Sequence, residues 1–317
     1  MSENTSQVRG GAEEMPLVSV LTPSFQQAAW LGDNLGSVAA QTYPRIEHVV
    51  ADGGSTDGSV ELLHAEAERR AASSGPALRW SSGPDEGQAD AVNRAFAEST
   101  GEIIGWINSD DAYVDPRVIA DVVAHFRAHP DVDVVYGHCL QVAADGAFIQ
   151  VLWAPPYDEA LLRTVDIISQ PGAFIRRRAL GEVMLDTSFH FAMDYELWLR
   201  LQAAGSGFSR IDRVVGIDRQ HASRKSSTIL DVLDADLARL SSRYDMRLGP
   251  EWERTRTAYY VRGRLAGGLV VPRLRPPYAF STPEAPAKGL FRRQVATRRR
   301  HWPEEYRTFR STPGEHT

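Results

Sequence analysis

The chain has 317 residues, 43% of them hydrophobic, which is enough for one large domain with a packed core, or for a domain and an appendage. Its formal net charge of −6 argues against nonspecific nucleic-acid binding, because phosphates attract basic surfaces. The single cysteine, Cys139, excludes an internal disulfide. No stretch approaches the roughly 20 apolar residues that span a bilayer, and the N-terminus lacks a signal-peptide pattern. We therefore expect a cytoplasmic protein without a transmembrane segment, with a peripheral position at a membrane left open.

Residues 1–15 are polar and are predicted to be a disordered lead-in. From there strands and helices alternate, and apolar runs predict strands at 17–22, 46–50, 78–80, 102–107 and 132–136. A helix is predicted to begin at Asp115 and Pro116, because Asp is a good N-cap and Pro suits the first helical position. Repeated alternation predicts an α/β fold with a mostly parallel central sheet flanked by helices.

The pattern changes after residue 228, so we predict a main domain over residues 16–228 and a helical and extended appendage over 229–317. Leu230 to Leu240 and Glu251 to Leu269 have the spacing of amphipathic helices. Residues 272–287 are rich in Pro and Ala and indicate an extended segment. The last thirty or so residues are charged and rich in Arg.

An acidic turn, Asn108-Ser109-Asp110-Asp111, directly follows an apolar strand. Two adjacent carboxylates repel each other unless a cation lies beside them, and Mg²⁺ or Mn²⁺ prefers carboxylate oxygens together with substrate phosphates. Asp and Asn are also common in N-caps and Asx-turns. The spacing alone leaves both interpretations open.

Three other segments combine polar groups with element ends. A glycine-rich turn begins at Asp52 and lets the backbone approach a ligand, although by itself this segment favours a tight structural turn. Asp194 lies near the start of an apolar helix, where it is either a general base or a charge that stabilises the helix N-terminus. Arg219-Gln220-His221, with Arg224 and Lys225 behind it, is either a diphosphate site or a solvated basic loop.

In their combined order these segments resemble the family 2 glycosyltransferases, the inverting enzymes of the GT-A fold. The likeness covers residues 16 to 228, which the resemblance makes a GT-A catalytic domain. It is carried by Val18 to Phe25, Gln41 to Pro44, Glu47 to Asp57, Gly105 to Asp111, Gln170 to Gly172, Asp194 to Trp198 and Arg219 to His221.

The resemblance implies transfer of a sugar from a UDP-, GDP- or dTDP-linked donor to a hydroxyl of a glycan, a lipid-linked molecule or a small molecule, with Mn²⁺ or Mg²⁺ as cofactor. Asp194 is implied as the base. Asp111 and His221 are implied at the metal, with Thr22, Pro23, Ser24, Asp52, Arg94 and Asp110 at the donor. Gln170, Trp198 and Glu196 are implied on the acceptor side. A homodimer through the C-terminal region is a further expectation.

The chain departs from the family pattern at three positions. Gly53 stands where a second acidic residue is commoner, Met193 stands where the acceptor helix usually has a Glu before the Asp, and Asn108 begins the usual Asp-x-Asp. Two other classes of function stay open. A sugar-phosphate nucleotidyltransferase needs a glycine-rich basic loop after the first strand, which Thr22 to Gln26 does not provide. A non-catalytic carbohydrate-binding member would not need Asp110, Asp111 and Asp194 together.

Overall fold

The structure, a computed structural model, describes residues 15–73, 75–222, 224, 230–246 and 250–270. The predicted lead-in, apart from Met15, lies outside the described residues. So do the Pro- and Ala-rich segment 272–287 and the Arg-rich end of the chain.

The first half of the sheet is parallel, as its strand–helix alternation predicts. Its strands, in the spatial order β3-β2-β1-β4, are β1 (Val18–Ser24), β2 (Ile46–Asp52), β3 (Ala77–Ser82) and β4 (Ile103–Trp106). Each pairing within this half is parallel. The connecting helices are α1 (Ala28–Ala39), α2 (Ser59–Ala71) and α3 (Gln88–Glu98). β1, β2 and β4 are buried along their whole length, as expected for parallel strands covered by helices.

The second half of the sheet is mixed. It contains β5 (Ala112–Tyr113), β6 (Val134–Ala143), β7 (Phe148–Leu152), β8 (Ala173–Arg176) and β9 (Phe208–Gln220). β8 lies antiparallel between β4 and β6, β7 is antiparallel to β6, and β5 is antiparallel to β9. Only β6 and β9 pair in parallel within this half. The α/β class is confirmed, and the predicted parallel pairing describes the half of the sheet that holds the first strands.

The remaining helices of the described residues are α4 (Val118–Ala128), α5 (Glu159–Leu162), α6 (Met193–Ala203), α7 (Leu230–Tyr244) and α8 (Pro250–Val270). The predicted start of α4 at Asp115 and Pro116 is wrong. Asp115 Oδ1 accepts from the Arg117 N–H at 2.7 Å, and its Oδ2 pairs with Arg213 at 2.6 Å. Asp115 therefore caps the turn that precedes the helix, and α4 begins at Val118.

The two C-terminal helices pack against the main domain. Leu240 of α7 and Met246 after it are buried in the same apolar cluster as Leu197 and Leu201 of α6. On α8, the Tyr259 hydroxyl donates to the Trp153 carbonyl oxygen at 3.4 Å. The boundary predicted at residue 228 therefore does not separate two packing units. Among the described helices, none is long and apolar enough to cross a membrane.

Candidate active site

The acidic turn lies where β4 ends, at the carboxyl edge of the parallel strands. The Asp111 N–H donates to the Asn108 carbonyl oxygen at 3.0 Å, which closes the turn. Asn34 of α1 supports it from below, because its Nδ2 donates to the carbonyl oxygens of Asn108 at 2.9 Å and Asp111 at 3.3 Å. The turn is thus fixed by backbone contacts, and Asn108 Nδ2 also donates to Asp111 Oδ2 at 3.4 Å.

Arg219, at the end of β9, clamps this turn. Its N–H donates to Asp111 Oδ1 and its Nε to the Asp110 carbonyl oxygen, both at 3.0 Å. Its guanidinium also donates to Asp33 Oδ2 at 2.9 Å and to the Ala144 carbonyl oxygen at 3.1 Å. Arg219 is only 2% exposed, so its donors hold the protein itself. Arg219 is therefore a structural part of the site, and Arg224 is the cation whose charge lowers the pKa of Asp111.

The acidic turn concentrates negative charge in a buried place. Burial raises the pKa of Asp111 well above its ordinary value, and the charges of Asp110 and Asp218 raise it further, against a smaller opposing effect of Arg224. Arg224 pairs with Asp218 at 2.6 Å. Burial would lower the pKa of Arg224, but the three carboxylates raise it. Buried carboxylates in such surroundings favour a bound cation.

His221 lies over the acidic turn. Its Nε2 is 2.9 Å from Asp110 Oδ2, and its ring stacks on the Trp30 ring with centroids 3.9 Å apart. Trp30 is anchored in turn by its Nε1, which donates to the Ala144 carbonyl oxygen at 3.2 Å. The structure therefore brings His221 to Asp110, and Trp30 is the support that the sequence analysis missed.

The residues at this turn have the donor chemistry of a Mg²⁺ or Mn²⁺ site. Asp110 and Asp111 offer carboxylate oxygens and His221 an imidazole nitrogen. Within the described residues, no three His, Cys, Asp or Glu side chains are already gathered as a metal-binding group. Mg²⁺ usually takes only one or two protein carboxylates and completes its shell with substrate phosphates and water, so the set fits a cation that arrives with a diphosphate.

Asp52 holds the glycine-rich turn from inside. It is fully buried, and its Oδ2 accepts from the N–H groups of Gly54 at 3.0 Å and Ser55 at 2.8 Å. Its two oxygens also accept from the hydroxyls of Ser55 at 2.6 Å and Ser82 at 2.7 Å. Since the protein occupies this carboxylate, Asp52 shapes the loop between β2 and α2 and does not itself face a ligand.

Gly53 leaves room that a carboxylate from another loop fills. A Cβ added at Gly53 would lie 2.7 Å from Asp85 Oδ2 and 3.1 Å from the Phe25 ring. Asp85 is oriented by its Oδ1, which accepts from the Gly87 N–H at 2.9 Å. Phe25 is 58% exposed at the end of β1. The exposed ring of Phe25 and the carboxylate of Asp85 thus lie beside Gly53, the position at which the family commonly has a second acidic residue.

The other predicted donor residues lie around this loop. Thr22 is fully buried, with its hydroxyl 2.9 Å from His48 Nε2, while Pro23 and Ser24 are buried at the end of β1. The Arg94 guanidinium donates to the carbonyl oxygens of Gly83 at 3.4 Å and Pro84 at 3.2 Å. Arg94 therefore braces the loop that carries Asp85.

The acceptor side is joined to the acidic turn through Gln170. Gln170 Oε1 accepts from Asn108 Nδ2 at 3.0 Å, and its Nε2 donates to the Trp106 carbonyl oxygen. Asp194 is half-buried in the first turn of α6, where its Oδ1 accepts from the Tyr195 N–H at 2.9 Å. Asp194 thus lies near the start of an apolar helix, as the sequence predicts.

Two residues predicted on the acceptor side are core residues. Trp198 is 1% exposed and packs in the main apolar cluster. Glu196 is fully buried and bonds the Tyr244 hydroxyl at 2.7 Å, Arg243 at 3.2 Å and Arg200 at 3.2 Å. Neither side chain reaches the cleft, because both point to the side of α6 that packs against the core and α7. The sequence motif identified the right helix but not which of its faces is exposed.

Asp236 of α7 is a residue that the sequence analysis missed. It is 2% exposed, and its Oδ2 accepts from the N–H groups of His190 at 3.1 Å, Phe191 at 2.7 Å and Ala192 at 3.0 Å. These amides lead directly into α6. The available signal was a carboxylate on the apolar face of a predicted helix, between Leu233 and Leu240.

Solved structures share this architecture. Staphylococcus aureus TarS, residues 1–349 in complex with UDP-GlcNAc, superposes with a TM-score of 0.55 at 17% identity, over 79% of this chain and 73% of that one. The mannosyltransferase PcManGT of Pyrobaculum calidifontis, in complex with GDP-Man and Mn²⁺, gives a TM-score of 0.56 at 19% identity, over 86% and 78%. At these identities the likeness establishes the GT-A fold alone.

Sequence relatives point the same way. The O-antigen biosynthesis protein RfbC of Myxococcus xanthus is 29% identical over 269 residues, which is 81% of this chain but only 21% of that protein. A PGL/p-HBAD biosynthesis glycosyltransferase of Mycobacterium bovis is 26% identical over 234 residues, 74% of this chain and 88% of that one. The sequence model of glycosyl transferase family 2 matches residues 19–193, more than half of the chain. The chain is therefore a transferase that belongs to glycosyl transferase family 2.

Proposed function

We propose that this chain is an inverting glycosyltransferase that moves a sugar from a nucleoside-diphosphate donor to an acceptor hydroxyl, with Mn²⁺ or Mg²⁺ and Asp194 as the general base. The observation that carries the proposal is the arrangement around Gln170. This residue bonds Asn108 of the acidic turn at 3.0 Å, and Tyr195, next to Asp194 on α6, bonds Leu162 in the segment that leads to Gln170 at 2.7 Å. The candidate site for a metal–diphosphate complex and the candidate base are thus connected through one segment of the chain.

We propose that the loops that carry Phe25, Asp52 and Asp85 bind the nucleoside of the donor. Asp52 fixes its loop, Phe25 offers a ring for stacking, and Asp85 offers a carboxylate to a base N–H. Uracil, thymine and guanine carry such an N–H on their pairing edge, which agrees with UDP-, dTDP- or GDP-linked donors. The solved neighbours of this fold were crystallised with UDP-GlcNAc and with GDP-Man.

The diphosphate leaves with increasing negative charge. Asp110, Asp111 and His221 would hold the divalent cation, which as a Lewis acid neutralises that charge when bound. Arg224, half-buried beside Asp218, adds a fixed positive charge to the same place. Arg219 and Asn34 keep the acidic turn rigid, so that its carboxylates need not rearrange during transfer.

The acceptor hydroxyl loses its proton as its oxygen attacks the sugar. We infer that Asp194 accepts that proton; its helix is anchored by buried Leu197 and Leu201, and its carboxylate is half-buried. The other carboxylate of this helix, Glu196, is buried among Arg and Tyr partners. Glu196 is therefore not available as a nucleophile, which agrees with inversion at the anomeric carbon.

Two substitutions test this proposal. Asp111→Asn should abolish transfer and weaken Mn²⁺-dependent nucleotide binding, while Asp194→Asn should lower transfer at least about 10²-fold and leave donor affinity nearly unchanged. Transfer is measured with a panel of nucleotide sugars, and donor binding by thermal shift with Mn²⁺. Glu86→Gln, an exposed carboxylate on the loop before α3, is the matched control and should behave as the unmodified chain.

The anomeric configuration of the product completes the test. NMR of the glycoside should show the configuration opposite to that of the donor. A retained configuration, full activity in excess chelator, or near-normal turnover of Asp194→Asn would each contradict the proposed mechanism.

A further inference from the structure

The last described helix, α8, packs against the main domain along one face. Tyr259 is half-buried, packs against the main apolar cluster, and donates through its hydroxyl to the Trp153 carbonyl oxygen at 3.4 Å. Two turns further along, Gly267 is buried against β7, where an added Cβ would lie 2.9 Å from the Val151 carbonyl oxygen. These two contacts fix the inner face of α8, and so they determine which of its side chains point away from the domain.

The opposite face of α8 is also apolar along its centre. Val261 and Leu265 are 55% and 71% exposed, and they lie one turn apart, so their side chains are neighbours on the helix surface. Exposed Ala258, three residues before Val261, extends the same row. We call Ala258, Val261 and Leu265 the outer strip. Packing on β7 does not account for it, because the outer strip lies on the other side of the helix.

Exposed arginines surround the outer strip. Four side chains of α8 share this position: Arg254, Arg256, Arg262 and Arg264. Arg256 Cζ lies 5.8 Å from the centre of the ring of Tyr260, which is 52% exposed at the edge of the strip. The outer face of α8 thus has an aliphatic centre with guanidinium groups and an amphipathic tyrosine around it.

The sequence leaves this positive charge without nearby acidic residues. Residues 254–283 contain no Asp or Glu, although the whole chain carries a net charge of −6. The same stretch contains six arginines: Arg254, Arg256, Arg262, Arg264, Arg273 and Arg275. An exposed charge acts over about 8 Å at physiological ionic strength, so the local sign, and not the net charge, determines what this face attracts.

Two other partners fit this face less well. A second copy joined through α8 by two-fold symmetry would meet the same surface, so arginines would face arginines. A nucleic acid attracts the charge, but its bases stack on aromatic rings and gain little from Val261 and Leu265. An anionic lipid surface takes both features, since its phosphates attract guanidinium groups and its headgroup boundary accepts aliphatic side chains.

We propose that the outer face of α8 docks on an anionic lipid surface. Val261 and Leu265 enter the boundary between headgroups and acyl chains, while Arg262 and Arg264 contact headgroup phosphates. Because the inner face of α8 is fixed to β7, docking holds the main domain at the surface without a membrane-spanning helix. This interaction goes beyond the transfer reaction proposed above and does not depend on which acceptor that reaction uses.

Vesicle binding by the full chain tests the proposal. The anionic vesicles contain phosphatidylcholine and phosphatidylglycerol in equal parts, and vesicles of phosphatidylcholine alone are the uncharged comparison. Flotation should show binding to the anionic vesicles that weakens as salt is added, because salt screens the arginines, and much weaker binding to the uncharged ones. No binding to anionic vesicles at low salt would overturn the proposal.

Two double variants separate the contributions of charge and of apolar contact. Arg262→Gln with Arg264→Gln should lower the affinity for anionic vesicles about 30-fold, since each basic side chain near such a surface contributes about fivefold. Val261→Ser with Leu265→Ser should lower it at least about 10-fold and keep its salt dependence, because only aliphatic surface is lost. Normal binding by the serine variant would show attraction by charge alone and would remove the outer strip as the docking surface.

The controls are exposed side chains of the same types elsewhere on the molecule. Val183 is 61% exposed, and the side chain of Arg117 is 76% exposed. Val183→Ser and Arg117→Gln should bind vesicles as the unmodified chain does. Melting temperatures establish that every variant is folded. A loss of binding in the controls as large as in the α8 variants would contradict a docking surface confined to α8.

A fluorescent label reports the contact directly. The single cysteine, Cys139, is buried, so an environment-sensitive fluorophore attached to Leu265→Cys reports on the outer strip. Anionic vesicles should shift its emission to shorter wavelength, whereas the same fluorophore on Val183→Cys should not respond. An unshifted emission at Leu265→Cys while the chain binds vesicles would overturn docking through α8. A shift that follows protein concentration without vesicles would instead assign the outer strip to a second copy of the chain.

Discussion

At the scale of single residues, Asp52 differs from other carboxylates proposed to meet substrate in how far the protein itself occupies it. Asp52 is fully buried and accepts four hydrogen bonds, while Asp85 and Asp194 are half-buried. A sequence motif identifies the residue types that a reaction needs, but it does not show which carboxylates form hydrogen bonds within the protein's own turns. Gly53 illustrates this, since the carboxylate of Asp85, thirty-two positions later in the chain, lies beside the position of its missing side chain.

Asp85 gives the prediction that belongs to this scale. A carboxylate accepts from the N3–H of uracil but repels the N3 lone pair of cytosine, so the chain should bind UDP more tightly than CDP. In Asp85→Asn the amide can turn its NH₂ to cytosine, and the preference should shrink by roughly 10-fold or more, since a hydrogen bond to a charged group contributes about 1.5–3 kcal/mol. Calorimetric titration with UDP, GDP, CDP and ADP measures this.

The Asn side chain still accepts from the Gly87 N–H, so the loop should keep its form. Glu86→Gln is the control, with an unchanged order of affinities. If Asp85→Asn discriminates UDP from CDP as well as the unmodified chain does, Asp85 does not contact the base.

At the scale of elements, the sequence predicts the alternating strands and helices of the parallel half of the sheet, and it misses the short antiparallel strands. β1 to β4 and their helices follow from alternating apolar runs and helical spacing, because each parallel crossover needs a long helix. β7 and β8 have five and four residues and pair antiparallel. Antiparallel strands need no crossover helix between them, so no helical pattern in the sequence indicates where they lie. Long-range contacts such as that of Asp236 have almost no local signature, since they depend on how α7 packs against the start of α6.

Asp236 provides the prediction at this scale. Its carboxylate collects three amides at residues 190–192 and so sets where α6, and with it Asp194, begins. Asp236→Asn keeps the size but weakens these bonds, so kcat should fall while the donor KM stays nearly constant. Asp236→Glu should not restore kcat fully, because the longer side chain displaces the amides. Steady-state kinetics and nucleotide titration separate the two effects.

Asp234→Asn is the matched control, since Asp234 is an exposed carboxylate on the same helix. It should change neither parameter. A fall in donor affinity equal to the fall in kcat would show that Asp236 acts on the whole fold and does not position α6.

At the scale of the whole molecule, the helices after residue 228 are part of the body that holds the site. α7 contributes Leu240 to the main apolar cluster, bonds Glu196 through Tyr244, and supports the approach to α6 through Asp236. Arg243 pairs with Asp186 at 2.8 Å, and the hydrogen bonds of Ser188 and Arg243 lower the pKa of Asp186 to about 2 although burial acts against it. The change of pattern after residue 228 suggests an appendage. Such a change marks a change of element, however, and does not by itself mark a separate packing unit.

Leu240 tests this integration. Leu240 is fully buried, with 0% of its surface accessible to solvent. Leu240→Ala should therefore lower the free energy of unfolding by about 2–5 kcal/mol. Leu265→Ala is the matched control on α8, where Leu265 is 71% exposed, and it should change stability by less than about 0.5 kcal/mol. Urea unfolding followed by tryptophan fluorescence measures both, because two of the 7 tryptophans, Trp106 and Trp198, lie in the same cluster as Leu240. A single transition that shifts as a whole in Leu240→Ala is expected, since one core unfolds as one unit. A separate early transition, with the main transition unmoved, would mean that α7 is an independent appendage.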